Sequence, residues 1–163
     1  LYNRYVEPVF RYCHRRLPQA AAEDATSITF LNAIRAIRGF DPERAGFRSW
    51  LFTIAHNAVI DQLRARPHVQ IDEIELAEPG PSLDDRVIAD ERRRHFAHAL
   101  RRLNPDQQQV IGLRLSGLSG TEIAEVMGKR PGAVRVIQHR AIKELRRLMG
   151  VRESGSANRT TAR

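Results

Sequence analysis

The stretch GTEIAEVMGKRPGAVRVIQHR, residues 120–140, decides how the chain is to be read. Ser119 and Glu122 stand three apart as in a capping box, so a short helix opens there and runs to Met127. Ala124 is small enough for two helices to cross closely. Gly128 follows four residues later, where a tight turn needs a positive φ. Pro131 starts a second helix, and Val134 and Ile137 fall at the distances that bury them against Ile123 and Met127. The pattern predicts a helix-turn-helix. The alternative is an αα-hairpin with no part in DNA binding.

The side chains on the turn and outer face of the second helix fit the first reading. They are Lys129, Arg130, Arg135, Gln138, His139, Arg140 and Lys143. Arginine pairs bidentately with guanine in the major groove, glutamine suits adenine, and lysine serves phosphates. Arg146 and Arg147, nearer the helix end, complement its dipole or touch phosphate.

Outward from this segment every strong period is helical. Asn104, Pro105 and Gln107 supply an N-cap, a first-turn proline and a third-position glutamine for the preceding helix. Ser82 and Asp85 stand in capping positions for a helix reaching Leu103. Residues 47–66 form a further long helix. Residues 20–37 repeat Ala25, Ile28, Leu31, Ile34 and Ile37, an amphipathic pattern whose apolar stripe is expected to face the core. Residues 1–17 carry an apolar stripe through Tyr5, Val9, Phe10, Cys13 and Leu17, with Pro8 expected to start or kink a turn. No hairpin signal occurs. The expected fold is all-α, two small helical domains joined by an acidic flexible linker.

Charge marks the division. The 163 residues carry 27 Lys+Arg against 19 Asp+Glu, a net charge of +8. Residues 1–66 hold a net of +4, residues 67–91 a net of −7, and residues 92–163 a net of +11. PHVQIDEIELAEPGP, residues 67–81, lacks helical periodicity and reads as a linker able to span about 50 Å. The expected domains are residues 1–66 and 92–149, with 67–91 as the linker and start of the next helix. The polar tail, 150–163, is expected to be disordered. Two basic blocks point to nucleic acid ahead of an anionic membrane surface.

No window reaches the apolar length of a membrane span, and no cleavable signal pattern is present. The single cysteine, Cys13, suits a reducing cytoplasm and lies on an apolar stripe, which favours a buried hydrophobe over a redox sensor. The chain begins at Leu1 inside an apolar pattern and is expected to lack its true N-terminus. Of the six histidines only His95 and His98 share a helical face, without a cysteine partner, so no metal is expected. No phosphate loop, nucleophile elbow or Ser/His/Asp arrangement occurs. No catalytic residue, cofactor or small-molecule substrate is expected.

FDPERAGFRSWLFTIAHNAVIDQLRAR, residues 40–66, resembles the promoter-melting segment, region 2, of bacterial extracytoplasmic-function (ECF) sigma factors. AEDATSITFLNAIRAI, residues 22–37, resembles the same family's core-polymerase-binding helix. Residues 103–148 resemble its region 4. The likeness covers about residues 1–149, with both halves in family order.

The resemblance implies a transcription initiation factor with core RNA polymerase and promoter DNA as partners and often an anti-sigma factor. No membrane partner is implied, and the place is the bacterial cytoplasm. It implies that Arg135, Val136, His139 and Arg140 face the upstream (−35) element. It places Phe40 and Asn57 around a flipped-out base of the downstream (−10) element, where Arg48, Arg64 and Arg66 add charge for melted DNA. Trp50 keeps the 3–4 spacing of a buried stripe and is expected in the core. Polymerase contacts are expected from Glu23, Asp24, Ser27, Asn32 and Arg35. One departure stands out: Ser27-Ile28 occupies the place of the family's usual Gln-Glu. The acidic linker is expected in a basic polymerase channel, imitating a nucleic-acid backbone. Two rival readings remain at this stage. One is a stand-alone helix-turn-helix regulator, which needs a dimer surface. The other is an adaptor whose basic helices bind an acidic protein.

Overall fold

Local sequence signals place the helix ends, and side-chain size then sets which faces meet. The computed structural model describes residues 2–43, 45–65 and 83–151, and every regular element among them is helical. Linker residues 66–82, and with them Arg66 and Ser82, lie outside the described residues, as do Arg44 and the tail from 152.

The first half is a three-helix unit. Helix α1 (Tyr2–His14) runs through Pro8, which neither starts nor ends it. Helix α2 (Gln19–Ala36) is followed by a 3-10 turn at Ile37–Gly39, and α3 spans Phe47–Ala65. Helix α2 packs between α1 and α3. Its buried face is Ala21, Ala22, Ala25, Thr26, Thr29 and Ala33. Such small residues let helix axes approach closely. Thr26 and Thr29 lose no hydrogen-bonding capacity in that core, because their hydroxyls donate to the carbonyls of Ala22 and Ala25 at 2.7 and 2.6 Å.

This corrects the sequence reading of α2. The residues Ile28, Leu31, Ile34 and Ile37, expected in the core, are exposed, with Ile34 at 69% and Leu31 at 53%. The helix has a core side made of alanine and threonine, and it turns its large apolar side chains outward.

The second half comprises α4 (Leu83–Arg101), α5 (Pro105–Leu115), α6 (Gly120–Met127) and α7 (Pro131–Leu148). Both expected capping boxes form. The Asn104 side-chain Oδ1 accepts from the Gln107 N–H at 2.9 Å, and the Ser119 hydroxyl accepts from the Glu122 N–H at 3.2 Å. Ala99, Leu103, Ile111, Ala141 and Leu145 make one apolar cluster in this half.

The larger cluster crosses from one half to the other. Val9, Leu51, Phe52 and Val59 of the first half belong to the same buried group as Leu113, Leu118, Ile123 and Val126 of the second. Helix α6 packs on α3. The sequence suggests halves working well apart, whereas here they are docked.

Candidate nucleic-acid interface

The turn between α6 and α7 depends on one backbone conformation. Gly128 caps α6 in the left-handed region at φ 60°, and the Lys129 N–H closes back on the Ala124 carbonyl at 2.9 Å. A residue with a Cβ is strained there. Val134 is buried and Ile137 half-buried in the same cluster as Ile123 and Met127, as their spacing predicts.

That packing sets the outer face of α7. At about 100° per residue, Arg135, Val136, His139 and Lys143 share one exposed side. Gln138 and Arg140 flank it on opposite edges. Gln138 lines a hollow of about 500 Å³ beside the start of α6, together with Arg114, Thr121, Arg135 and His139. Arg140 lines another of about 420 Å³ beside the start of α5. Arg114, which sequence reasoning did not single out, stands at this face because α5 ends beside α7, and its guanidinium donates to the Leu118 carbonyl at 3.0 Å. Lys129 is paired with Asp106 at 3.1 Å, whereas Arg130 is exposed at the N-cap of α7. Arg147 is paired with Glu144.

The first half brings some expected residues together and separates one. Phe40, half-buried in the loop after the 3-10 turn, meets Trp50 at 4.9 Å and Phe47 edge-on at 5.7 Å between ring centroids. Tyr5 extends the group, 5.4 Å from Phe47. Trp50 is half-buried in this aromatic group rather than sealed in the core. Asn57 follows Trp50 by seven residues and Arg64 follows Asn57 by seven. All three therefore lie along one side of α3, with Asn57 and Arg64 exposed.

Arg48 lies nine residues before Asn57, about half a helical circumference away. Its guanidinium faces the second half and meets the Glu122 carboxylate at 3.3 and 3.4 Å. Burial pushes the Glu122 carboxyl up, but hydrogen bonds from Ser119 and the Arg48 charge outweigh it and hold the group below the ordinary carboxylate range.

On α2, Glu23, Asp24, Ser27 and Arg35 share the exposed side with Ile28, Leu31 and Ile34, while Asn32 sits at its edge. A large apolar centre ringed by charge is the composition of a protein-docking surface. Among the described residues no group of three His, Cys, Asp or Glu side chains could hold a metal, and no helix is long and apolar enough to cross a membrane.

Comparison with known proteins agrees with this division. The Sigma-70 region 2 family matches residues 1–68, and the Sigma-70, region 4 family matches residues 93–145. The chain is 35% identical over 157 residues to the RNA polymerase sigma factor CarQ of Myxococcus xanthus, covering 92% of this chain and 87% of that protein. This chain belongs to the ECF sigma factors. The ECF RNA polymerase sigma factor BldN of Streptomyces coelicolor is 41% identical over 155 residues, covering 91% of this chain but 59% of BldN. Against that relative, then, the chain spans less than two thirds of the full length.

Among solved structures, the sigma factor RpoE of Bartonella quintana, in a co-crystal with the anti-sigma factor NepR, superposes with a TM-score of 0.70 at 25% identity. It covers 92% of this chain and 94% of RpoE. The helical architecture of this sigma factor is thus that of its family, with region 2 matched over residues 1–68 and region 4 over residues 93–145.

Proposed function

We propose that this chain is a promoter-specificity subunit that binds core RNA polymerase through region 2, reads a −35 element through region 4 and helps open the −10 element. Its relatives carry the name sigma factor, and the observation that carries the reading here is the pair of separate exposed faces. One face, on α7, is basic and fits the major groove. The other, on α2, is apolar and fits a protein.

In region 4 the reading helix enters the major groove with Arg135, Val136 and His139 foremost. Arg135 suits guanine, and Val136 suits a thymine methyl. Arg130 and Lys143 reach phosphate and fix the register. Lys129 joins them once its pairing with Asp106 yields to a phosphate. Gln138 and Arg140 read from the two edges.

In region 2 the aromatic group centred on Phe40 offers a stacking surface for an unpaired base. Asn57 supplies hydrogen bonds to the base edge, and Arg64 and Arg66 attract the displaced strand. The polymerase would seat on the α2 face, with Leu31 and Ile34 at its centre and Glu23, Asp24, Ser27, Asn32 and Arg35 around them. An anti-sigma factor, such as the one in the RpoE co-crystal, would act by covering these faces. Phosphodiester chemistry belongs to the polymerase. The chain acts in the bacterial cytoplasm without a reaction of its own.

Run-off transcription with core polymerase on a candidate promoter tests this. The expected result is a transcript that depends on the chain. Stable duplex binding by the chain alone, with no initiation, would overturn it in favour of a stand-alone regulator. Phe40→Ala should impair strand opening, read by permanganate reactivity, more than closed-complex binding.

A further inference from the structure

We infer that the single-strand site of region 2 continues onto α1, where Tyr5 stacks a second unpaired base and Arg4 holds a phosphate beside it. This rests on the −10 reading of region 2 and adds a subsite to it. Ring contacts carry the extension. Tyr5 lies 5.4 Å from Phe47, and Phe47 lies 5.5 Å from Trp50, between centroids. Phe40 meets both Phe47 and Trp50, so Tyr5 and Phe40 stand on either side of Phe47. That separation is short enough for one unstacked strand to cover within about two nucleotides.

The rings are tilted or edge-on to one another, from 44° to 90°, so none lies flat over its neighbour. Tyr5, Phe40, Phe47 and Trp50 are each half-buried, and each keeps an open part that a base can cover. Stacking on such rings tolerates any base, because every base has a π-face.

The start of α1 divides its aromatic side chains between two neighbours. Tyr2 turns to α2 and meets Phe30 edge-on at 4.8 Å, one helical turn before Ile34 of the exposed apolar face. Tyr5, three residues on, turns to Phe47 of α3 instead. Arg4 is exposed, with its Cζ 5.7 Å from the Tyr5 centroid, within cation–π range. The nearest acid on the helix does not cancel that charge, since the Glu7 carboxylate is taken by Arg11 at 2.7 Å. A ring for the base with a guanidinium for the backbone is the pairing that single-strand sites use. Continuity with Phe40 and Asn57 favours nucleic acid over a protein partner here. The extended site then has a cation at either end, Arg4 on α1 and Arg64 towards the far end of α3.

Core polymerase loaded with the full chain provides the test. The probe is the non-template single strand of the promoter used for run-off, with 2-aminopurine substituted at one position at a time. Two positions should change fluorescence on binding. Phe40→Ala should abolish the change at one, and Tyr5→Leu at the other. Tyr5→Leu should weaken binding of the strand about tenfold, and Tyr5→Phe should keep wild-type affinity. Arg4→Gln should reduce the slope of log affinity against log salt by about 0.7, the share of one phosphate on a single strand.

Wild-type affinity and an unchanged second probe in Tyr5→Leu would overturn the subsite. So would equal weakening of polymerase binding without DNA, which would make this part of α1 a protein contact. If Tyr5→Leu lowers the melting temperature, the exposed Arg4 decides, and an unchanged salt slope in Arg4→Gln rejects the subsite. A silent Phe40→Ala beside an active Tyr5→Leu would defeat the −10 reading of Phe40 and leave the α1 contact standing. Failure of the chain to load on polymerase would defeat the sigma-factor reading, and the subsite with it.

Discussion

Region 2 and region 4 solve opposite surface problems with the same kind of helix. Region 4 buries most of its large apolar residues, leaving Leu115, Val136 and Ile142 exposed, and turns arginine, lysine and histidine outward on α7, a surface suited to a polyanion. Region 2 gives the core side of α2 to alanine and threonine and exposes isoleucine and leucine, a surface suited to a dry protein contact. The lesson is that exposed side-chain chemistry separates the two kinds of partner even where net charge has the same sign in both regions.

The sharpest way to break this contrast is to make the α2 face polar. Leu31→Asp with Ile34→Asp removes two apolar side chains that a partner would cover, each worth about 1.5–3 kcal/mol when fully buried. Polymerase affinity should fall at least a hundredfold while the melting temperature of the free chain stays within a few degrees. Equal loss of stability would mean that these side chains support the fold.

Next in size comes the α7 face. Arg135→Ala should weaken promoter binding by about 1–3 kcal/mol and relax preference at one base pair of the upstream element. Weakening by the same factor on every sequence, with a shallower salt dependence, would instead assign Arg135 to phosphate.

Acid should distinguish the regions again. His56 accepts from or donates to the buried Tyr12 hydroxyl at 3.0 Å through Nδ1, and burial, followed by the charge of Arg16, pushes its pKa down to about 4. The folded chain therefore holds this imidazole neutral while the unfolded chain takes up a proton near pH 6.5. Stability should fall as pH drops from about 6.5 to about 4, by about 2 kcal/mol after discounting for partial exposure. His56→Gln should flatten that slope. The smallest effect belongs to the turn. Gly128→Ala has open space around its Cβ but inherits φ 60°, and should cost about 1 kcal/mol in thermal unfolding.

Legibility in the sequence follows the same divide. The capping boxes at Asn104 and Ser119, the positive φ at Gly128 and the burial of Val134 are local features, each set by residues within a few positions, so the helix-turn-helix is readable directly. The orientation of α2 is not. A search for the largest apolar residues at helical spacing finds Ile28, Leu31 and Ile34, whereas the core side is built from residues too small to stand out. The interval Ala21, Ala25, Thr29 and Ala33 was the available signal. The direction in which Arg48 points was hidden for a different reason. Its neighbours in sequence are aromatic, but nine residues of helix rotate it away from Asn57, and its partner Glu122 lies 74 residues on. Docking of the halves left little local trace beyond a glycine inside α5, because Leu118 and Val126 look like ordinary core of their own unit.

Gly112 has a consequence for how such a chain can be rebuilt. A glycine inside α5 lowers helix stability by about 1 kcal/mol relative to alanine, and region 4 alone offers no packing reason for it, since only the ring of Tyr12 stands where its side chain would be. One half of the chain thus carries a concession to the shape of the other. The halves are not freely exchangeable modules. A chimera joining this region 2 to a foreign region 4 with a bulky residue at that position should bind its DNA normally yet lose the docking of the two halves.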